Sequence, residues 1–206
     1  MSFKPYNCFD LWIVICAHVL FWGVIAARLV QRNTATELQS VVATNSVPSR
    51  WNFAALILVG ITMGSFYPLL LVLVVEPRFV GPRLLPDLFV LRMAGLITVL
   101  VGIALIAWSY SVLKSFNLRP GIDRGHQLCM SGPYARIRHP VYLGIDFFFL
   151  GCFLLLPFPG FLLQTAVNFI AYDFRARVEE EVMKQAFGEV YLEYRQRTFR
   201  LIPLIY

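Results

Sequence analysis

Polar residues able to carry a reaction concentrate in two stretches of an otherwise apolar chain, 126–142 and 175–200. The first holds His126, Gln127, Leu128 and Cys129, then Gly132, Pro133 and Tyr134, and finally Arg136, Arg138, His139, Pro140, Val141 and Tyr142. Gly132-Pro133 marks a turn. The residue before a proline is biased away from helical geometry, so His139 is expected at the N-cap of a helix whose first turn contains Pro140. A helix N-terminus flanked by Arg138 and His139 suits a carboxylate or a phosphate. The same residues equally suit a basic interfacial loop that binds lipid headgroups, with Tyr134 and Tyr142 in the aromatic belt.

In the second stretch Arg175 and Glu179 stand four apart and share one helical face, with Glu180 and Glu181 following. Phe187, Tyr191 and Tyr194 can form an apolar face. As a surface pair Arg175 and Glu179 would contribute only a few tenths of a kcal/mol. Their position argues for more, because three consecutive acids at the end of a membrane helix, on a face rich in positive charge, need partners. Asp146 lies on the face of His139 and Tyr142 by its spacing, within an apolar run. A carboxylate there is costly enough to imply either a function or a structural ion pair, with Arg92 as the candidate partner.

The elements that must position these residues are membrane helices. With 58% hydrophobic and 15% charged residues the chain has too little polar surface for a soluble globule. Apolar runs predict spans at roughly 11–30, 53–75 and 88–113, each close to the ~20 residues needed to cross the hydrocarbon. His18 reads as a packed or interfacial histidine within the first. The apolar stretch 141–172 would measure about 48 Å as one helix, too long for one span. Pro157-Phe158-Pro159-Gly160 breaks it into a helical hairpin, spans 140–156 and 160–178. The expected fold is therefore all-α integral membrane with about five transmembrane helices, the last two a hairpin, and a cytoplasmic C-terminal helical tail. The hairpin returns both polar stretches to one membrane face.

Basic residues set the orientation. Arg28, Arg32 and Arg50, five more in 114–139 and six after the hairpin put fourteen of the 18 on one side under five spans. The N-terminus is then outside, and the long loop and tail are cytoplasmic. The net charge of +6 is scattered between apolar runs and forms no basic stripe, which argues against nucleic acid. Cys8, Cys16, Cys129 and Cys152 show neither disulfide nor zinc spacing, so no metal is expected. No linker or repeat divides the chain, and 1–206 reads as one membrane domain.

Taken together, His126-x-Leu128, Gly132-x-Tyr134, Arg138-His139-Pro140-x-Tyr142, Arg175-x-x-x-Glu179-Glu180, Phe187-Gly188-x-x-Tyr191-x-x-Tyr194 and Pro203 resemble the isoprenylcysteine carboxyl methyltransferases and the related phospholipid methyltransferases. The likeness covers about 114–206. It implies S-adenosylmethionine held by His126, Gln127, Leu128, Cys129, Tyr134, His139, Pro140, Val141, Tyr142 and Glu179. The family usually has valine at the position of Cys129, a change that a backbone contact would survive. It also implies that Arg175 contacts a lipid or lipidated acceptor. With a carboxylate acceptor, Arg175 would hold one oxygen and aim the other, while Glu179 and Glu180 complement the cofactor's ammonium group. An amine lipid headgroup is the alternative acceptor, and it needs a base such as Glu180 or Asp146. Arg-His-Pro-x-Tyr also occurs in sterol reductases, but their tail carries Asp and Cys where this chain has Glu179 and Glu180. A non-enzymatic lipid-binding protein is the remaining reading, and it predicts no binding of S-adenosylmethionine.

Overall fold

The computed structural model describes residues 6–35, 41–42, 49–113, 122–123 and 128–203. Six helices follow in order: α1 (Cys8–Ala35), α2 (Ser49–Val75), α3 (Phe89–Val112), α4 (Pro140–Leu155), α5 (Pro159–Phe187) and α6 (Glu189–Gln196). Two-residue strands, Val41–Val42 and Ile122–Asp123, pair antiparallel between the loops. Among the described residues three stretches are long and apolar enough to cross a membrane, Cys8–Val30, Arg50–Val75 and Phe89–Val112. They turn large apolar side chains outward, with Trp12, Phe53, Ile61, Phe89 and Val90 all more than 60% exposed. Pro68 sits inside α2, a placement that membrane helices tolerate.

The hairpin is present, and its turn is well tied. Leu156 and Phe158 are fully buried, and Leu84 N–H donates to the carbonyl of Pro157 at 2.7 Å. Its two arms differ. α4 is a short apolar helix of 16 residues, whereas α5 runs 29 residues to Phe187, nine beyond the expected end of the span. The charged residues from Arg175 to Lys184 are good helix formers, so the helix continues after its apolar character stops. Gly188, at φ +51, ends it and opens α6.

α3 packs on α4, α4 on α5, and α5 on α2, while α1 lies against α3 and touches α4. The α3–α4 contact is backbone against backbone. A Cβ on Gly102 would sit 2.5 Å from the carbonyl oxygen of Gly144, and one on Gly144 would sit 2.8 Å from that of Gly102. The middle of the bundle is aromatic. Phe21 stacks on Phe148 at 4.4 Å, and Phe66 meets Phe161 at 5.2 Å and Phe149 at 5.5 Å. His18 joins them, stacked on Phe66 at 4.3 Å with Nδ1 2.8 Å from the carbonyl of Val14, a packed histidine as its sequence context implies.

At the end away from His139 and Tyr142, Arg92 binds Asp10 at 3.2 Å and Asp87 at 2.5 Å, and Arg83 reaches Asp87 at 3.5 Å. This corrects the expected pairing of Arg92 with Asp146. The arginine stands at the start of α3 and is taken up by the acid at the start of α1, while Asp146 lies in the hairpin.

Candidate functional site

His139 is the N-cap of α4, with Pro140 in the first turn, because Pro140 fixes the φ of the first helical residue and lacks the N–H that would go unused there. The loop before it is held by the C-terminal tail. Phe199 N–H donates to the carbonyl of Arg136 at 2.9 Å, Arg138 N–H to Phe199 at 2.8 Å and His139 N–H to Arg200 at 3.1 Å, a short parallel bridge. Tyr194, buried on α6, donates its hydroxyl to the carbonyl of Tyr134 at 2.7 Å.

Three side chains from the two arms of the hairpin close a small ring. Arg175 Nε donates to the Tyr142 hydroxyl at 2.8 Å, that hydroxyl donates to Glu179 Oε1 at 2.6 Å, and Arg175 Nη2 lies 2.9 Å from the same oxygen. Arg175 is 5% exposed. Tyr142 stacks on His139 in front, with rings 5.4 Å apart and nearly parallel, and leans on Tyr172 behind at 5.0 Å. His139 therefore stands between the two acids. Its Nδ1 is 3.7 Å from Glu179 Oε2 and its Nε2 is 3.6 Å from Glu180 Oε1.

Glu180 faces the other way. Arg138 Nε donates to Oε1 at 2.8 Å, and Arg200 reaches both oxygens at 3.1 Å. Burial works to raise the Glu180 carboxyl, but the His139 ring 3.6 Å away and the hydrogen bonds from Arg200 and Arg138 outweigh it and hold the group well below the usual carboxylate range. Arg138 also binds the carbonyls of Arg195, at 3.1 Å, and Thr198, so its guanidinium is committed to the tail and not turned to the open N-terminus of α4. Asp173 extends the network through Arg177 at 2.8 Å and Arg200 at 3.4 Å.

Of the residues singled out in the sequence, Tyr134, His139, Pro140, Val141, Tyr142, Arg175, Glu179 and Glu180 meet around this layer. Burial pushes the Tyr134 phenol far up, so it stays neutral. Leu128 and Cys129 are half-buried on the approach, with the Cys129 thiol 3.7 Å from the carbonyl of Val112. His126 and Gln127 lie outside the described residues. Sequence reasoning missed Arg138, Arg200 and Asp173 as the frame around Glu180, because partners 42 and 20 residues away leave no local spacing signal.

The residues present suit an ammonium-and-carboxylate-bearing sulfonium cofactor. His139 Nε2 is buried without a hydrogen-bond partner among the described residues, and the Glu179 carboxylate beside it can complement a cation.

These helices, with an ion-pair network gathered at one end of a hairpin, define an integral membrane protein of the all-helical class. Residues 90–190 match the family model for phospholipid methyltransferase, a match that supports the resemblance carried by the motifs of that segment. Over 84 residues it is 36% identical to the protein-S-isoprenylcysteine O-methyltransferase of Schizosaccharomyces pombe, covering 40% of this chain and 36% of the relative. Over 82 residues it is 38% identical to the Homo sapiens protein of the same name, covering 39% and 28%. The matches span only about a third of the length of these relatives. The fold is similar to that of the eukaryotic intramembrane Ras methyltransferase, isoprenylcysteine carboxyl methyltransferase, with a TM-score of 0.53 at 22% identity over 76% of this chain and 52% of that one.

Proposed function

We propose that this protein transfers a methyl group from S-adenosylmethionine to the carboxylate of a prenylated cysteine or a similar lipid-borne acid. The observation that carries the reading is the buried ring of Arg175, Tyr142 and Glu179 beside His139, inside the segment that matches the family. Bound S-adenosylmethionine supplies a methyl group already activated by a sulfonium, which leaves the protein to bind, orient and exclude water. His139 and Glu179 are assigned to the cofactor, along with 126–129, Tyr134 and 140–142. Arg175 is assigned to the acceptor, where its planar fork holds one carboxylate oxygen and leaves the other free to react. Glu180, engaged by Arg138 and Arg200, positions His139. A buried guanidinium attracts a carboxylate and repels an ammonium, which favours the acid over the amine acceptor. The family description, phospholipid methyltransferase, is what keeps the amine reading in view.

The cytoplasmic face is the proposed location of the site, with five spans and the N-terminus outside. Fourteen of the 18 basic residues then lie on the retained side.

The test uses purified protein, labelled S-adenosylmethionine and two acceptors, N-acetyl-S-farnesylcysteine and vesicles of phosphatidylethanolamine. A base-labile methyl ester on the first is the expected product. Arg175→Ala should leave cofactor affinity nearly intact while slowing ester formation about tenfold to a hundredfold, and Arg175→Lys should restore only part of the loss. Label in the phosphatidylethanolamine, with full activity in the alanine variant, would reject the carboxylate assignment.

A further inference from the structure

Below the Arg175 layer the hairpin carries several polar side chains, and two of them stand out. The antiparallel register of the hairpin is fixed at two levels, by Thr165 Oγ1 donating to the carbonyl of Phe149 at 3.2 Å and by the rings of Tyr142 and Tyr172 at 5.0 Å. Between those levels the register brings Asp146 of α4 opposite Asn168 of α5. Asp146 is 8% exposed and Asn168 0%. Neither carboxyl oxygen of Asp146 and neither amide atom of Asn168 has a hydrogen-bond partner among the described residues. Deeper on the same helix the polar groups are satisfied. Gln164 donates to the carbonyl of Thr62 and accepts from Ser65 at 2.6 Å, and Thr165 also donates to Phe161 at 2.9 Å.

Four buried polar atoms without partners among the described residues, brought to one level of the two helices by the register, are costly in an apolar bundle and call for a partner. We propose that Asp146 and Asn168 form a second acceptor subsite, which takes a hydroxyl or amide N–H carried in the lipid portion of the acceptor. The three oxygens call for donors, and the Asn168 amide can return an N–H to the oxygen of the same group. Asn168 precedes Arg175 by seven residues, two helical turns, so the subsite lies about 10 Å deeper along α5 than the Arg175 layer. An acceptor with an unadorned isoprenoid tail would cover an acid and an amide without pairing them. The subsite therefore selects a lipid with a polar group about 10 Å from the methyl-accepting oxygen. This deepens the methyl-transfer reading and rests on it for the identity of the head group.

The test compares N-acetyl-S-farnesylcysteine with its analogue hydroxylated at the fourth carbon of the farnesyl chain, on wild type, Asp146→Leu and Asn168→Leu. Wild type should favour the hydroxylated acceptor at least about tenfold in kcat/KM, mainly through KM, and in both variants that ratio should fall to about one. Without acceptor the leucine variants should melt at or above the wild-type temperature, because they remove buried polar groups that have no partner among the described residues. Equal use of the two acceptors by wild type would overturn the proposal, as would variants that melt lower and keep the wild-type ratio. If neither acceptor is methylated, the activity reading fails by itself. The rise in melting temperature given by each acceptor without cofactor still decides the subsite, with a larger rise for the hydroxylated one expected and equal rises overturning it.

Discussion

Glu180 shows how one carboxylate can shape the site without facing it. Arg138 comes from the loop before α4, Arg200 from the tail after α6, and both end on this buried side chain. Removing the charge leaves buried Arg138 without a carboxylate and Arg200 with Asp173 alone, so Glu180→Gln should cost about 3 kcal/mol, read by thermal unfolding in detergent. The effect depends on pH in a defined sense. The folded-state pKa is depressed, so the stabilisation is complete above the unfolded value of about 4.3 and is lost as pH falls below it. Wild type should lose stability faster than Glu180→Gln as pH is lowered through that window. Parallel pH profiles would mean that Glu180 is not held by these arginines.

The tightest helix–helix contact is that of α3 with α4, where Gly102 and Gly144 let two backbones meet. Gly102→Ala places a methyl 2.5 Å from a backbone carbonyl that cannot turn aside, and should destabilise by about 1–3 kcal/mol. Gly60 on α2 has nothing within 4 Å of an added Cβ, so Gly60→Ala should be neutral or stabilise by up to about 1 kcal/mol. Equal melting temperatures for the two variants would contradict the close packing. Much at this scale was legible in the sequence: apolar length marked α1, α2 and α3, and two prolines marked the hairpin turn. The extent of α5 was not, because apolarity reports a span and says nothing of where a charged helix stops. The Arg175–Glu179 pair was legible from its spacing, and His139 at the N-cap from Pro140. The Tyr142 bridge and the Arg138–Glu180–Arg200 frame were hidden, since only tertiary packing brings their parts together. Asn168 had a signal that went unread, a carboxamide in an apolar run.

For the molecule as a whole the question is sidedness. Arg50, at the start of α2, and Arg195, on α6, are both exposed and belong to the two basic regions that five spans put on one side. Arg78, in the short turn after α2, belongs to the opposite side and is also exposed. In a background without Cys8, Cys16, Cys129 and Cys152, single cysteines at positions 50 and 195 should label with a membrane-impermeant maleimide from the same side of sealed vesicles, and one at 78 from the other. Opposite accessibility of 50 and 195 would rule out the hairpin as a return across the bilayer.

The bridge between 136–139 and 199–200 also sets an order of events during synthesis. Every apolar helix lies before residue 188, so the bundle can enter the bilayer and pack before the tail docks on it. The carbonyls of Phe199 and Arg200, and the guanidinium of Arg200, reach the loop before α4 only after translation has passed residue 200. Until then Glu180 lacks one of its two arginines and the backbone of His139 lacks its partner. A nascent chain arrested short of this point is a membrane-inserted bundle with an unassembled site, so insertion and competence are separate steps in its biogenesis.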